Sequence, residues 1–321
     1  MSEQSPISGL LVIDKPPACT SHDVVARVRR TLATSKVGHA GTLDPSATGV
    51  LLVGVGKATR ILQFLQNLAK EYRATVQLGV VTDSQDADGQ VVSSTECDMQ
   101  MDQVREAAER FVGEIAQIPP MVSAVKVGGE RLYKAARRGE VVEREPRTVR
   151  VYALQVEDFD RATQEATLYV KCSSGTFVRT LAADLGEILG CGAHVKGLRR
   201  LAIGSFTEAE AVPLDELEGE APAEAANRVL PMHAALRDFP SRTVEGDEYA
   251  AVSHGRPLEV AGDAPKRLGE LPVMSAGRGD RPAHEAGMTA GIPVAIRGPE
   301  GQLIAVYRRS SGKLKPAAVL M

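Results

Sequence analysis

Tyr72-Arg73-Ala74-Thr75-Val76-Gln77-Leu78-Gly79-Val80 places Tyr72, Ala74, Val76, Leu78 and Val80 on one side of an extended chain and Arg73, Thr75, Gln77 and Gly79 on the other. A period of two marks a strand with one buried face. Upstream, Leu10-Leu11-Val12-Ile13 reads as a short buried strand stopped by the turn residues Asp14-Lys15-Pro16-Pro17. Ser21 or Asp23 is then expected to cap a helix carrying Val24, Val25 and Val28. Val50-Leu51-Leu52-Val53 is another apolar strand, and Ile61, Leu62, Leu65 and Leu68 predict a helix over Arg60–Leu68. Downstream come a helix around Val104–Val112 and strands around Val149–Val156 and Ala166–Cys172. The stripe Val178, Leu181, Ala182, Leu185, Ile188 and Leu189 marks an amphipathic helix, and Ala193–Leu201 a further strand. Glu216–Arg228 is acidic and poor in large apolar residues, as a surface excursion would be. From about Ser241 the runs Val294-Ala295-Ile296 and Leu303-Ile304-Ala305-Val306 indicate a small β-rich module, split by a Gly/Pro-rich insert, Gly262–Gly291, read as a mobile loop. Strands and helices in this order make the chain α+β.

The chain has 321 residues, 43% of them hydrophobic, enough for a large domain and a small one. It has no apolar run long enough to span a bilayer and no signal peptide in MSEQSPISG, so a cytoplasmic, membrane-free protein is expected. Cys19, Cys97, Cys172 and Cys191 are scattered, which points to neither a disulfide framework nor a structural metal site. The net charge of −3 hides a segregation: residues 1–80 hold nine basic and five acidic side chains, whereas 81–120 hold two and nine. Local potential sets affinity for phosphates, so basic faces can receive a polyanion despite the acidic total.

Two stretches are built for chemistry. Gly38-His39-Ala40-Gly41-Thr42-Leu43-Asp44-Pro45-Ser46-Ala47-Thr48-Gly49 displays one carboxylate, Asp44, in a loop shaped by three glycines and a proline. Ser173-Ser174-Gly175-Thr176-Phe177-Val178-Arg179-Thr180 puts Arg179 at a helix start and off the apolar stripe, where its guanidinium can meet a carboxylate or phosphate. Between them, residues 118–150 form a glycine-hinged excursion carrying Arg131, Lys134, Arg137, Arg138, Arg144, Arg147 and Arg150, suited to gripping a polyanion or simply solvated. Other motifs fail. Val55-Gly56-Lys57-Ala58-Thr59 lacks the Ser/Thr that would bind magnesium in a phosphate loop. Thr82–Gly89 lacks the first and last acids of an EF-hand and is left to turn chemistry. The histidines show no metal-ligand spacing.

In order and spacing, LLVIDKP, GHAGTLDPSATGVLLVGVGKATR, KEYRA, LGVVTDSQDADG, QIPPMVSAVKVGGERLYKAARRGE, SSGTFVRTLAADLG and CGAHVKGLRRLAIG resemble the bacterial tRNA pseudouridine synthase B (TruB) family over nearly the whole chain. The resemblance implies a large mixed or antiparallel sheet with flanking helices as the catalytic domain (9–235), and a PUA-like RNA-binding domain (241–321). It implies isomerisation of uridine to pseudouridine at position 55, in the T-loop of tRNA, with no cofactor. It makes Asp44 the catalytic aspartate, Tyr72 an active-site tyrosine and Arg179 the arginine paired with that aspartate. His39 then belongs to an RNA-contacting loop and Leu198 to the lining of the pocket, while Lys15, Arg131, Lys134 and Arg137 are expected to bind RNA. The partner is the T-arm stem-loop, met by a monomer, and not DNA. A non-catalytic RNA-binding or RNA-folding protein, and a synthase acting on ribosomal RNA, are the alternatives. Two positions depart from the family pattern: Ala18 stands for a glycine after Asp14-Lys15-Pro16, predicting a changed loop path, and Val122 for a tyrosine.

Overall fold

Apolar runs bounded by turn residues become the first strands in the computed structural model, which describes residues 7–123, 125–259, 291–310 and 312–321. Gly9–Lys15 (β1) is buried along almost its whole length and leads into the helix Ser21–Thr31 (α1). The cap of α1 is Thr20, not Ser21 or Asp23. Its hydroxyl accepts from the Asp23 amide, and the Asp23 carboxylate accepts from the Thr20 amide, so the two residues satisfy each other's orphaned donors. Val37–His39 (β2) and Thr48–Val55 (β3) pair antiparallel, and β3 runs antiparallel to β1 from Gly9↔Val55 to Lys15↔Gly49. The helix expected over Arg60–Leu68 is two shorter pieces, a 3-10 turn at Gly56–Arg60 and Leu62–Leu65 (α2). Ile61, Leu62, Phe64, Leu65 and Leu68 are all buried there, so packing on several sides, not a single helical face, sets the backbone.

Lys70–Leu78 (β4) shows the alternating burial its sequence predicts. After it come the hairpin Val80–Thr82 (β5) and Val91–Ser94 (β6), the helix Met101–Glu109 (α3) and Gly113–Gln117 (β7). The basic excursion is a small hairpin, Lys126–Val127 (β8) with Glu130–Arg131 (β9), running into Leu132–Arg137 (α4). Arg147–Asp160 (β10), Glu165–Cys172 (β11), Val178–Ile188 (α5) and Ala193–Ile203 (β12) follow. Neighbours run β12-β4-β11-β10-β7. The β4–β11, β11–β10 and β10–β7 pairs are all antiparallel, with Tyr72 opposite Val170 and Lys70 opposite Cys172.

The chain then passes through Phe206–Thr207 (β13), Val212–Pro213 (β14), Leu214–Gly219 (α6), Pro222–Asn227 (α7), Leu230–Pro231 (β15) and Met232–Ala235 (α8). The acidic stretch 216–228 is mostly exposed, as a surface excursion should be. It folds into two short helices, one opened by Pro222 at its first position, because Leu214, Leu217 and Ala225 find a core to enter. Last come Ser241–Thr243 (β16), the helix Gly246–Ser253 (α9), Leu258–Glu259 (β17), Pro293–Arg297 (β18), Leu303–Ser310 (β19) and Lys313–Val319 (β20). These strands form a separate sheet in the order β16-β18-β19-β20-β17, as the β-like runs of the tail predict. The insert expected at 262–291 lies outside the described residues except for Gly291.

The chain divides into two compact units, one drawn from Met1–Pro45, Gly49–Leu68 and Ala202–Met321, the other from Ser46–Thr48 and Ala69–Leu201. In the first, β1 and β3 are covered on both faces. Leu10, Val12, Val50 and Leu52 pack with Ile61, Phe64, Phe206, Val306 and Leu320, while Leu11, Ile13, Leu51 and Val53 pack with Val24, Val25, Val28 and Leu217. Double coverage explains why these strands read as unbroken apolar runs, not alternating ones. The C-terminal sheet adds its own core of Val244, Val252, Ile296, Ile304 and Tyr307. No described helix is long and apolar enough to cross a membrane.

Candidate active site

The Asp44 loop is held by its neighbours. The Leu43 amide donates to the Ser21 hydroxyl at 2.9 Å, and the Pro45 carbonyl accepts from Lys15 Nζ at 3.0 Å. Leu43 and Ala47 are buried, whereas Asp44 is half-buried between them. Positive φ at Gly41 and Gly49 turns the chain at either end of the loop, a conformation glycine adopts without strain. The chain on both sides of Asp44 is thus held in place while Asp44 itself stays partly exposed.

Lys15, expected among the RNA contacts, is completely buried. Its ammonium donates to the carbonyls of Cys19 at 2.7 Å, Pro16 at 2.9 Å and Pro45. It ties the loop after β1 to the Asp44 loop from inside, and RNA cannot touch it there. Ala18, inside that first loop, has φ of 58°, the left-handed region where the family's glycine would rest more easily. His39, half-buried on β2, meets the His22 ring edge-on with centroids 5.3 Å apart.

In the second unit, Arg179 is only 4% exposed. Gln117 holds the start of α5, its side-chain amide both accepting from the Phe177 amide at 2.9 Å and donating to the Phe177 carbonyl at 3.1 Å. From that anchored turn, Arg179 Nη1 donates to Asp86 Oδ2 and to the Ser84 carbonyl, each at 2.9 Å, and Nη2 to the Val122 carbonyl at 2.8 Å. Asp86 belongs to Thr82–Gly89, which reads in sequence as a plain turn. The turn is real, with Thr82 and Ser84 hydroxyls donating to the Asp86 carbonyl, but it serves to present the Asp86 carboxylate to the arginine. Because Val122 contributes its carbonyl, replacing the family's tyrosine there leaves this bond intact.

Tyr72 is buried on the inward face of β4, and Leu198 is half-buried on β12. Two residues before Tyr72, Lys70 is buried, and burial together with the nearby Arg200 charge lowers its ammonium to about 7. Opposite it, burial pushes the Cys172 thiol up to about 12.

The basic hairpin presents Arg131, Lys134 and Arg137 to solvent. An open hollow of about 550 Å³ is lined by Lys126, Gly129, Glu130, Arg131, Tyr133 and Lys134, and the Arg137 guanidinium sits 5.5 Å from the Tyr133 ring centre. Arg138 is spent internally, bonded to both Glu130 and Glu140. Exposed cations beside an aromatic face can take phosphates and an unstacked base. Among the described residues no cluster of three or more His, Cys, Asp or Glu side chains is placed to hold a metal.

Comparison with known proteins fits these features. Residues 29–178 match the model of the TruB family pseudouridylate synthase N-terminal domain, and residues 179–237 that of the tRNA pseudouridylate synthase B C-terminal domain. The tRNA pseudouridine synthase B of Arthrobacter sp. (strain FB24) is 40% identical over 98% of this chain and 96% of its own. That of Dechloromonas aromatica (strain RCB) is 46% identical over 79% of this chain and 84% of its own. Among solved structures, the archaeal box H/ACA sRNP Nop10-Cbf5 complex contains a chain that superposes with a TM-score of 0.70 at 26% identity, covering 99% of this chain and 89% of that one.

Proposed function

The chain belongs to the TruB family of pseudouridylate synthases and isomerises uridine to pseudouridine in tRNA, and from that premise we propose that Asp44 is the carboxylate that opens the glycosidic bond of uridine 55 in the T-loop. The observation that carries the proposal is the clamped Asp44 loop, in which the residues on both sides are fixed and the acid is left accessible.

The reaction breaks C1′–N1, turns the uracil and joins C1′ to C5, whose proton is finally lost. No electrons are exchanged with another molecule. Asp44 either attacks C1′ as a nucleophile or removes the C2′ proton as a base. Tyr72 stacks on the uracil near C5, and Leu198 lines the same pocket. Arg179 takes the part of the arginine that the family resemblance pairs with the catalytic aspartate, since a guanidinium partner favours a carboxylate's charged form. The target base must leave its stack, at a cost of a few kcal/mol. His39 enters the space it vacates, and Arg131, Lys134 and Arg137 hold T-arm phosphates. Contacts to the ribose 2′-hydroxyls select RNA over DNA. Residues 9–235 form the catalytic domain of a cytoplasmic monomer, and 241–321 a PUA-like second RNA contact.

The test is Asp44→Asn assayed by tritium release from C5-labelled uridine in a T-arm stem-loop. We expect no measurable turnover with affinity for the stem-loop kept within about threefold; turnover near that of the parent enzyme would remove Asp44 from the chemistry. A deuterium at C2′ separates the two routes, since proton removal shows a large primary isotope effect and attack at C1′ only a small secondary one. Mapping pseudouridine in cells lacking the protein tests the target, loss at tRNA position 55 being expected and loss in ribosomal RNA contradicting it.

A further inference from the structure

Cys97 and Cys191 are 94 residues apart in sequence, yet their sulfurs lie 2.8 Å from each other. Both are free thiols. The backbone brings them together, independently of any rotamer. Gly79 donates its amide to the Gly192 carbonyl at 2.9 Å, and its own carbonyl accepts from the Thr95 amide at 2.8 Å. One residue at the end of β4 thereby anchors both cysteine-bearing segments, one a single residue after Cys191 and the other two residues before Cys97. Gly79 has φ of 82°, and a Cβ there would reach within 3.2 Å of the Cys97 Cβ, so a glycine is what lets the segments close up. Each flank is fixed again further on. The Met99 amide donates to Gln164 Oε1 at 2.9 Å, Asp98 pairs with Arg161, and the Cys191 and Gly192 amides both donate to the Gly186 carbonyl at the end of α5.

We infer that Cys97 and Cys191 are a dithiol that closes reversibly into an intramolecular disulfide, a covalent staple between the segment after β6 and the turn joining α5 to β12. A disulfide is about 2.0 Å long, so closure moves the sulfurs by less than ~1 Å and leaves the segments where they are. The oxidant is a small-molecule disulfide. Cys97, partly exposed, loses its proton and attacks one of that disulfide's sulfurs, releasing one small thiol. Cys191, only 6% exposed, then loses its proton, attacks the Cys97 sulfur and releases the second. Two protein thiols are oxidised and one external disulfide is reduced to two thiols. In the reduced form, burial and the neighbouring Cys191 push the Cys97 thiol up to about 12, so neutral sulfurs share the site without repulsion. Because the atoms scarcely move, the link acts as a staple and not as an on–off switch. A crosslink across so long a loop removes much of the unfolded chain's freedom.

The full chain, reduced and then incubated with oxidised glutathione, is alkylated without reductant and mapped by peptide mass. We expect one Cys97–Cys191 linked peptide, lighter by two hydrogen atoms than the two separate peptides and opened by dithiothreitol. We also expect a melting temperature raised by ~5 °C over the reduced protein and tRNA turnover within about twofold of it. Cys97→Ala should abolish the link and the rise together. Cys191→Ala should hold glutathione on Cys97. Glutathione retained on Cys97 of the parent chain, or two alkylated thiols, would overturn the pairing. A link that forms without raising the melting temperature would overturn the staple, and loss of turnover on oxidation would make it a switch.

Discussion

Breaking the Arg179–Asp86 pair takes one charged partner from a guanidinium where water scarcely reaches, since the two side chains are 5% and 12% exposed. Removing one partner of a buried pair typically costs about 3–5 kcal/mol, because the remaining charge keeps its desolvation penalty. Asp86→Asn keeps the shape and a hydrogen-bond acceptor but not the charge. We expect urea unfolding to show a loss toward the lower end of that range and single-turnover conversion to fall by about two orders of magnitude, with stem-loop affinity little changed. Stability lost with turnover intact would make Asp86 a folding residue alone. Lys70 gives a second prediction of different kind. Its folded ammonium titrates near 7, well below its ordinary 10.5, so between those values the unfolded chain binds more protons than the folded one. Stability therefore rises with pH across that window and is lowest below it. Unfolding free energies measured from pH 6.5 to 10 should climb, and Lys70→Met should flatten the climb.

Among the elements, α5 shows best how tightly the site is fitted to the fold. Gly186 lies on the helix side facing the start of β12, and a Cβ added there would stand 2.3 Å from the Ala193 amide nitrogen and 2.3 Å from the Gly192 carbonyl carbon. Both are backbone, so the helix itself has to shift. Gly186→Ala, harmless by helix propensity, should cost about 1–3 kcal/mol as an overpacking change and should depress turnover by tilting the helix that carries Arg179. A melting temperature equal to the parent's would show that the turn yields freely. Much of the element pattern was legible in the residues: alternation along β4, the apolar stripe of α5 and the doubly buried runs of β1 and β3 all carry their own period or length. The misses share a cause. The cap of α1 passed to Thr20 because its box with Asp23 satisfies two donors, and the helix over Arg60–Leu68 broke because its apolar side chains are buried on several sides. The turns that shape the Asp44 loop could be read from its glycines. Asp86 could not, since nothing local distinguishes a turn carboxylate from one that meets an arginine 93 residues away. Lys15 was misplaced for the same reason, a surface-type residue drawn wholly inside by carbonyls that sequence does not reveal.

For the molecule as a whole, a net charge of −3 has to be reconciled with a polyanionic substrate. Acidic side chains do not cancel a basic face at a distance, because at physiological salt the screening length is about 8 Å. What matters is which cations remain exposed, and the ion pairs decide that. Arg138 is bound by Glu130 and Glu140, Arg73 by Glu157 and Arg161 by Asp98, so none of these adds much to a phosphate-binding surface. Arg131 and Lys134 line the hollow from β9 and α4, and Arg137 stands exposed on α4 beside the Tyr133 ring. Each phosphate they neutralise releases counterions, contributing roughly 0.7–0.9 to the slope of log affinity against log salt. The triple change Arg131→Ala, Lys134→Ala and Arg137→Ala should therefore lower that slope by about 2 to 3 for tRNA binding and weaken binding at low salt more than at high salt. Bound substrate should still turn over at the parent rate, because the proposed chemistry gives none of the three a part in bond breaking or making. Filter binding from 50 to 300 mM salt, paired with single-turnover rates at saturating enzyme, separates the two effects. An unchanged slope would place the phosphate contacts elsewhere on the chain, and a lowered rate at saturation would mean that the hairpin also positions the flipped uridine.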